Sequence, residues 1–138
     1  MRNPQTPDLT NILDALLNAF RSGGTLLVCG NGGSAADSEH VVGELMKSFE
    51  LPRPLQPELK ERLRNIDEAE GSSLAESLEL GLPAISLSSQ TSLLTAIAND
   101  QGYENVFAQQ VLGYGRPGDA LLAFTTSGES RNVVRALI

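Results

Sequence analysis

The sequence has one cysteine, Cys29, so no disulfide can form within it. That scarcity fits a reducing compartment, and the chain is expected in the cytoplasm. No signal peptide is readable, because Met1 to Asp8 is polar and holds two prolines, Pro4 and Pro7. No apolar run approaches the roughly 20 residues of a membrane helix, so no membrane partner is expected. Basic residues are outnumbered, ten Lys and Arg against 17 Asp and Glu, for a net charge of −7. Nucleic acid as a direct partner is thereby disfavoured, since phosphate backbones call for basic surface. There is no CxxC pair, no internal repeat and no low-complexity tract. What remains is a length of 138 residues, suited to one domain, with 41% hydrophobic residues to build its core.

The rest of the chain is organised around Thr25 to Glu50. Leu26-Leu27-Val28-Cys29 has the length of a buried strand, with Cys29 as filler inside it. Gly30-Asn31-Gly32-Gly33-Ser34 is a tight polar turn, and Ala35 to Phe49 has helical periodicity. Strand, glycine turn and helix together aim backbone N–H groups and the positive end of a helix dipole at an anion. The same helix carries His40 and Glu44, four residues apart and so on one face. An anion cradle beside an imidazole and a carboxylate is a starting point for chemistry on a phosphorylated small molecule. The plainer readings are glycines used for positive φ, an exposed helix histidine and a solvated glutamate. The turn is not a P-loop, as no Gly-Lys-Ser/Thr follows, and no acidic residue stands at a strand end about 20 positions on, as dinucleotide binding needs.

Taken in order, Thr6-Pro7-Asp8 is a helix start signal. Leu9, Ile12, Leu13, Leu16, Leu17 and Phe20 then recur at helical spacing until Gly23-Gly24. That broad apolar stripe faces either the sheet or another subunit. From Leu51 to Leu82 the charges are mixed and mostly acidic. Pro52, Pro54 and Pro57 break the preceding helix, and Glu58 to Asn65 and Leu74 to Leu80 read as short helices with Gly71 and Gly81 as stops. This stretch, about 51–82, is a helical insertion, either simply solvated or serving as a lid or partner surface.

Pro83 to Leu87 reads as a second strand, leading into the polar run Ser88-Ser89-Gln90-Thr91-Ser92 and a helix from Leu93 to Asn99. Glu104 to Tyr114 is a further helix, Asp119 to Phe124 a third strand, and Arg131 to Ile138 the start of another helix. Strands alternating with helices predict an α/β fold, a three-layer open parallel sheet with helices on both faces. Ligands in such sheets bind beyond the carboxyl ends of the strands, where three polar loops converge here. The last of them holds Thr125, Thr126, Ser127 and Ser130 around Gly128, at the mouth of a helix. Four hydroxyls with backbone N–H groups can wrap a phosphate without a lysine, although one of them would suffice as an N-cap.

Through Gly30–Leu45, Ser92–Asp100 and Thr125–Val133 the chain resembles a SIS (sugar isomerase) domain, and within it the phosphoheptose isomerase group. The resemblance implies an aldose–ketose isomerase that converts sedoheptulose 7-phosphate to a heptose 7-phosphate for bacterial surface polysaccharide. It also implies a homotetramer with active sites shared between subunits. Carried over by position, Asn31, Gly32, Gly33, Ser34 and Gln90 match substrate-binding positions, and Thr125, Thr126, Ser127 and Ser130 match the phosphate loop. Glu44 matches the catalytic acid–base, and His40 with Glu44 matches metal ligands in members that hold zinc. Two departures stand out. Gln90 occupies a position where the family usually has an aspartate, keeping hydrogen bonding but losing the charge. The chain also ends at Ile138, where family members continue to a last helix that supplies a glutamine and a histidine. The 138 residues are therefore expected to be a single, C-terminally incomplete SIS-type domain with little activity alone. Two other functions share these motifs, a non-catalytic scaffold that binds the replication initiator protein and a sugar-phosphate sensor. The scaffold relatives generally lack a counterpart of Glu44, which favours the enzyme.

Overall fold

A computed structural model of the protein describes residues 9–138, so the Thr6-Pro7-Asp8 signal lies outside the described residues. The chain divides into two compact units, one formed by residues up to Val42 with Pro83–Ile138, the other by Gly43–Leu82.

The first unit holds the sheet. Strands β1 (Leu26–Gly30), β2 (Ala84–Ser86) and β3 (Ala120–Phe124) are all parallel, in the order β2-β1-β3. β1 lies in the middle and is buried along all five residues, as its unbroken apolar run requires of a strand covered on both faces. Register pairs Leu27 with Ile85 and Leu121, and Cys29 with Ala123. These side chains share one face of the sheet, since side chains alternate along a strand. That face packs with Ile97, Val106, Phe107, Val133 and Ala136. They come from the helices α5 (Thr91–Gln101), α6 (Val106–Tyr114) and α7 (Arg131–Ala136). Leu26 and Val28 point the other way, and α1 (Leu9–Arg21) packs against β1 and β3. α1 buries only Ala19; Leu9 stays 76% exposed and Leu13 54%, so much of its apolar stripe is not covered by the sheet.

The strand order has a consequence for function. The chain runs from β1 to β2 on one side and then returns to place β3 on the other. The order reverses at β1, and in open parallel sheets the crevice at such a reversal is where ligands bind. The carboxyl ends that meet there are Gly30 and Phe124, which the register pairs directly.

Helix α2 (Gly33–Met46) begins two residues earlier than its periodicity suggests and ends three residues sooner. Its end has a local cause in the second unit. The carbonyl of Leu45 accepts from the Arg53 guanidinium at 2.7 Å and from the Leu82 backbone N–H at 2.8 Å, so it is not available to extend the helix.

The second unit is a helical hairpin, α3 (Pro57–Ile66) and α4 (Glu68–Ser77). Pro57 breaks nothing; it sits in the first turn of α3, where its missing N–H costs no bond. The helix expected over Leu74 to Leu80 is displaced. α4 starts at the cap Asp67, whose carboxylate accepts from the N–H groups of Ala69 and Glu70 at 3.0 and 2.8 Å. It ends at Ser77, and Glu79 instead forms an antiparallel bridge with Pro54. Gly71 is not a stop but an interior residue of α4, at a point where an added Cβ would lie 2.0 Å from the Leu63 carbonyl oxygen of α3. The Glu79 carboxylate takes both the N–H and the hydroxyl of Ser48, and these bonds hold its pKa below the usual carboxylate value.

Candidate functional site

Glycine at position 30 is a steric requirement. A Cβ there would lie 2.5 Å from the carbonyl oxygen of Ser34, because the turn folds straight back over the strand end. Gly32 adopts φ +56°, which lets the chain reverse within one residue. The N–H of Ser34 donates to the Asn31 carbonyl at 3.0 Å, and the turn passes directly into α2. The second loop is tied to the same point. Gly30 N–H donates to the Ser88 hydroxyl at 3.2 Å, and that hydroxyl donates to the Gly30 carbonyl at 2.9 Å. Behind it, buried Gln110 donates to the Leu87 carbonyl at 3.0 Å and fixes the end of the second strand.

In the third loop the backbone bonds to the side chains. Gly128, at φ +71°, donates its N–H to the Thr125 hydroxyl oxygen at 3.1 Å, and Glu129 N–H donates to that of Ser127 at 3.1 Å. A hydroxyl that accepts from the backbone keeps its own proton to give to a ligand. Ser130 caps α7 through its carbonyl, accepting from Val133 and Val134, while its side chain makes no capping bond. The hydroxyl cluster is therefore more than a helix cap.

The first and third loops enclose a small pocket of about 70 Å³, walled by Asn31, Ser34, Phe124, Thr125, Thr126 and Ser130. Each water needs about 10–15 Å³ of such space, so the pocket suits a group of a few heavy atoms. Four of its six walls carry hydroxyls and one an amide, and none is acidic. Such a set of donors can hold an anion by hydrogen bonds and dipoles alone. Asn31 and Ser130 also border a larger cavity of about 360 Å³ shared with Tyr103, Glu104, Arg131 and Asn132.

The remaining expected positions are placed as follows. Gly32 is exposed in the turn, Gly33 is exposed at the first position of α2, and Ser127 is exposed in its loop. Gln90 precedes α5, half-buried, and its side chain does not cap the helix. None of these four walls the small pocket. His40 is exposed on α2. Glu44 is half-buried near the end of α2, in the second unit, with one carboxylate oxygen shielded from solvent. Among the described residues no group of three or more His, Cys, Asp or Glu could hold a metal ion. Zinc takes four ligands in its usual sites, so His40 and Glu44 do not by themselves fit one.

Two residues of the site carry little signal in the sequence. Asn132, 3% exposed, exchanges hydrogen bonds with Asn31 at 2.9 and 2.8 Å. Tyr103, in a single 3₁₀ turn (Tyr103–Asn105), donates its hydroxyl to Asn31 at 3.0 Å. Asn132 stands two positions after the hydroxyl loop, within the Thr125–Val133 stretch that carries the resemblance, but nothing there marks it as a partner of Asn31; for Tyr103 there is no cue.

Comparison with known proteins agrees with this geometry. The family model for the SIS domain matches residues 1–76, more than half of the chain. The phosphoheptose isomerase of Roseiflexus sp. (strain RS-1) is 41% identical over 133 residues, covering 96% of this chain and 54% of the relative. That of Geotalea daltonii is 39% identical, covering 96% of this chain and 56% of the relative. Among solved structures, a phosphoheptose isomerase from Francisella tularensis superposes with a TM-score of 0.72 at 30% identity, covering 98% of this chain and 57% of that one. One from Neisseria gonorrhoeae superposes with a TM-score of 0.67 at 33% identity, covering 93% and 52%. The chain thus spans about half the length of the curated relatives it matches.

Proposed function

The chain belongs to the SIS domain family, and from that premise we propose that the whole protein is a phosphoheptose isomerase, converting sedoheptulose 7-phosphate to D-glycero-D-manno-heptose 7-phosphate through an enediol. The observation that carries the reading is the hydroxyl-walled pocket at the reversal of strand order. In this reading Ser34, Thr125, Thr126 and Ser130 donate to the phosphate oxygens and hold one end of the sugar. Fixing that end turns proton transfer at the other into a positioned, intramolecular event.

The substrate is a ketose with its carbonyl at C2. A base removes a proton from C1 as the C2 oxygen takes up one, giving the enediol. Return of a proton to C2, with loss of the O1 proton, leaves the aldehyde at C1. We assign the carbon-to-carbon transfer to Glu44. The support is its match to the family's acid–base position, together with the shielded oxygen in the structure. Zinc receives no step, because two side chains fall short of a zinc site. We also place the protein in the cytoplasm, on its single buried cysteine, and as a homotetramer, on the family resemblance, with the exposed apolar face of α1 offering a surface for a partner subunit.

Glu44→Gln in the whole protein tests the assignment. Loss of a positioned acid–base group lowers kcat by about a hundredfold or more. Turnover of sedoheptulose 7-phosphate within a few-fold of wild type would refute the role of Glu44. The isomerase would then use another base; a wild-type protein that binds the sugar phosphate without turning it over would instead favour a sugar-phosphate sensor, which keeps the pocket and dispenses with the carboxylate.

A further inference from the structure

We propose that Asn132 is a positioning residue, which sets the spacing between the glycine turn and the hydroxyl loop through a reciprocal amide pair with Asn31. The inference rests on the reading of the small pocket as a phosphate site, and goes beyond it by naming what holds the pocket in shape.

The pocket has two sides that are far apart in sequence, Asn31 and Ser34 on one and Phe124 to Ser130 on the other. No wall-to-wall hydrogen bond between these two sides is among the bonds of the pocket's own side chains; Thr125 and Ser130 pair within the loop. The join lies just behind. The Asn31 Nδ2 donates to Asn132 Oδ1 at 2.9 Å, and the Asn132 Nδ2 donates to Asn31 Oδ1 at 2.8 Å. The Asn132 oxygen also accepts the Val133 N–H at 3.0 Å, which locks its rotamer against α7. Tyr103 donates to the second lone pair of the Asn31 oxygen, and the turn carrying it is moored to α7 by Arg135, whose guanidinium donates to Asn105 at 2.6 Å. The Asn31 oxygen is thus filled on both lone pairs, and one N–H of this wall residue's amide is left over from the pair.

Asn132 borders the larger cavity but does not wall the small pocket, so it acts on a phosphate held in the small pocket only through Asn31. The choice of two amides is also informative. A pair of amides satisfies its own hydrogen bonds in a buried place without adding charge, whereas an aspartate at either position would set a negative charge beside an anion site.

The test is titration of the chain with inorganic phosphate, followed by calorimetry, for wild type, Asn132→Leu, Asn31→Ala, the double variant and Tyr103→Phe. Asn132→Leu keeps the volume and removes the pair. A weakening of Kd by about tenfold is expected, with the binding stoichiometry unchanged; damage to the fold would lower the stoichiometry instead. In the Asn31→Ala background the same substitution should have little further effect, because the pair is already gone. Tyr103→Phe should weaken binding about threefold. Folded Asn132→Leu that binds phosphate within twofold of wild type overturns the proposal, as does an undiminished effect in the Asn31→Ala background. If Asn132→Leu does not fold, Tyr103→Phe decides, and an unchanged Kd overturns the proposal. Wild-type protein that binds no phosphate overturns the phosphate reading of the pocket itself, and this inference with it.

Discussion

Replacing Gly30 by alanine tests the whole design of the site with one methyl group. The added Cβ would stand 2.5 Å from the Ser34 carbonyl oxygen and 2.7 Å from its carbonyl carbon. Ordinary contact begins at 3.4 Å, so the shortfall is 3.4 − 2.5 = 0.9 Å. The obstacle is backbone, which cannot swing aside as a long side chain does. The turn must open by most of an ångström, at a cost of about 1–3 kcal/mol. In a chain of this size that lowers Tm by roughly 3–12 °C. Ser34 moves with the turn and carries one of the pocket's hydroxyls. A displacement of about 1 Å at a positioning group costs on the order of a hundredfold in kcat/KM. Gly43→Ala is the control. It lies within α2 with nothing inside 4 Å of its Cβ, and should gain about 0.5–1 kcal/mol from better helix propensity. Thermal unfolding and steady-state turnover of both variants in the whole protein check this. Folded Gly30→Ala with wild-type kcat/KM would refute the link between the close approach at Gly30 and the pocket.

Gly71→Ala should destabilise the helical hairpin by about 1–3 kcal/mol despite alanine's better propensity, because its Cβ would meet the Leu63 carbonyl at 2.0 Å; urea unfolding measures it. Thr126→Val removes one wall hydroxyl from an exposed position and should raise KM for the phosphorylated sugar by about five- to tenfold with Tm unchanged. Burial pushes the Cys29 thiol up from 9.0 to about 11. The native state therefore keeps its thiol proton after the unfolded chain has lost it, so stability is full below pH 9 and falls by about 2–3 kcal/mol as pH rises to 11. Urea titrations of wild type and Cys29→Ala should differ in slope within that window and agree below it.

The sheet and its loops are legible in the sequence because their signals are local. Leu26 to Cys29, Pro83 to Leu87 and Asp119 to Phe124 are apolar runs bounded by glycine, proline or hydroxyl residues, and each becomes a strand within a residue or so. The pocket follows from them, since parallel strands bring their carboxyl ends to one edge. What escaped the reading depends on contacts between distant residues. Gly71 looks like a stop because glycine ends helices, yet here it allows two helices to approach, a role visible only with Leu63 in place. The end of α2 is set by Arg53 and Leu82, not by its own last turn. Asn31 and Asn132 are 101 residues apart, and no periodicity marks such a pair. Gln90 shows the converse, a position matched to substrate binding by resemblance that stands off the small pocket's walls.

A binding pocket with no cation on its walls, in a chain of net charge −7, has a kinetic consequence. Dipoles act over a contact layer, while the field of a charge reaches about 8–10 Å through physiological salt. On the phosphate reading the walls themselves would engage a phosphorylated sugar only at contact, and any longer-range pull would come from Arg131, which lines the adjoining cavity. Raising the ionic strength should leave affinity almost unmoved, where a lysine-lined cradle would weaken steeply.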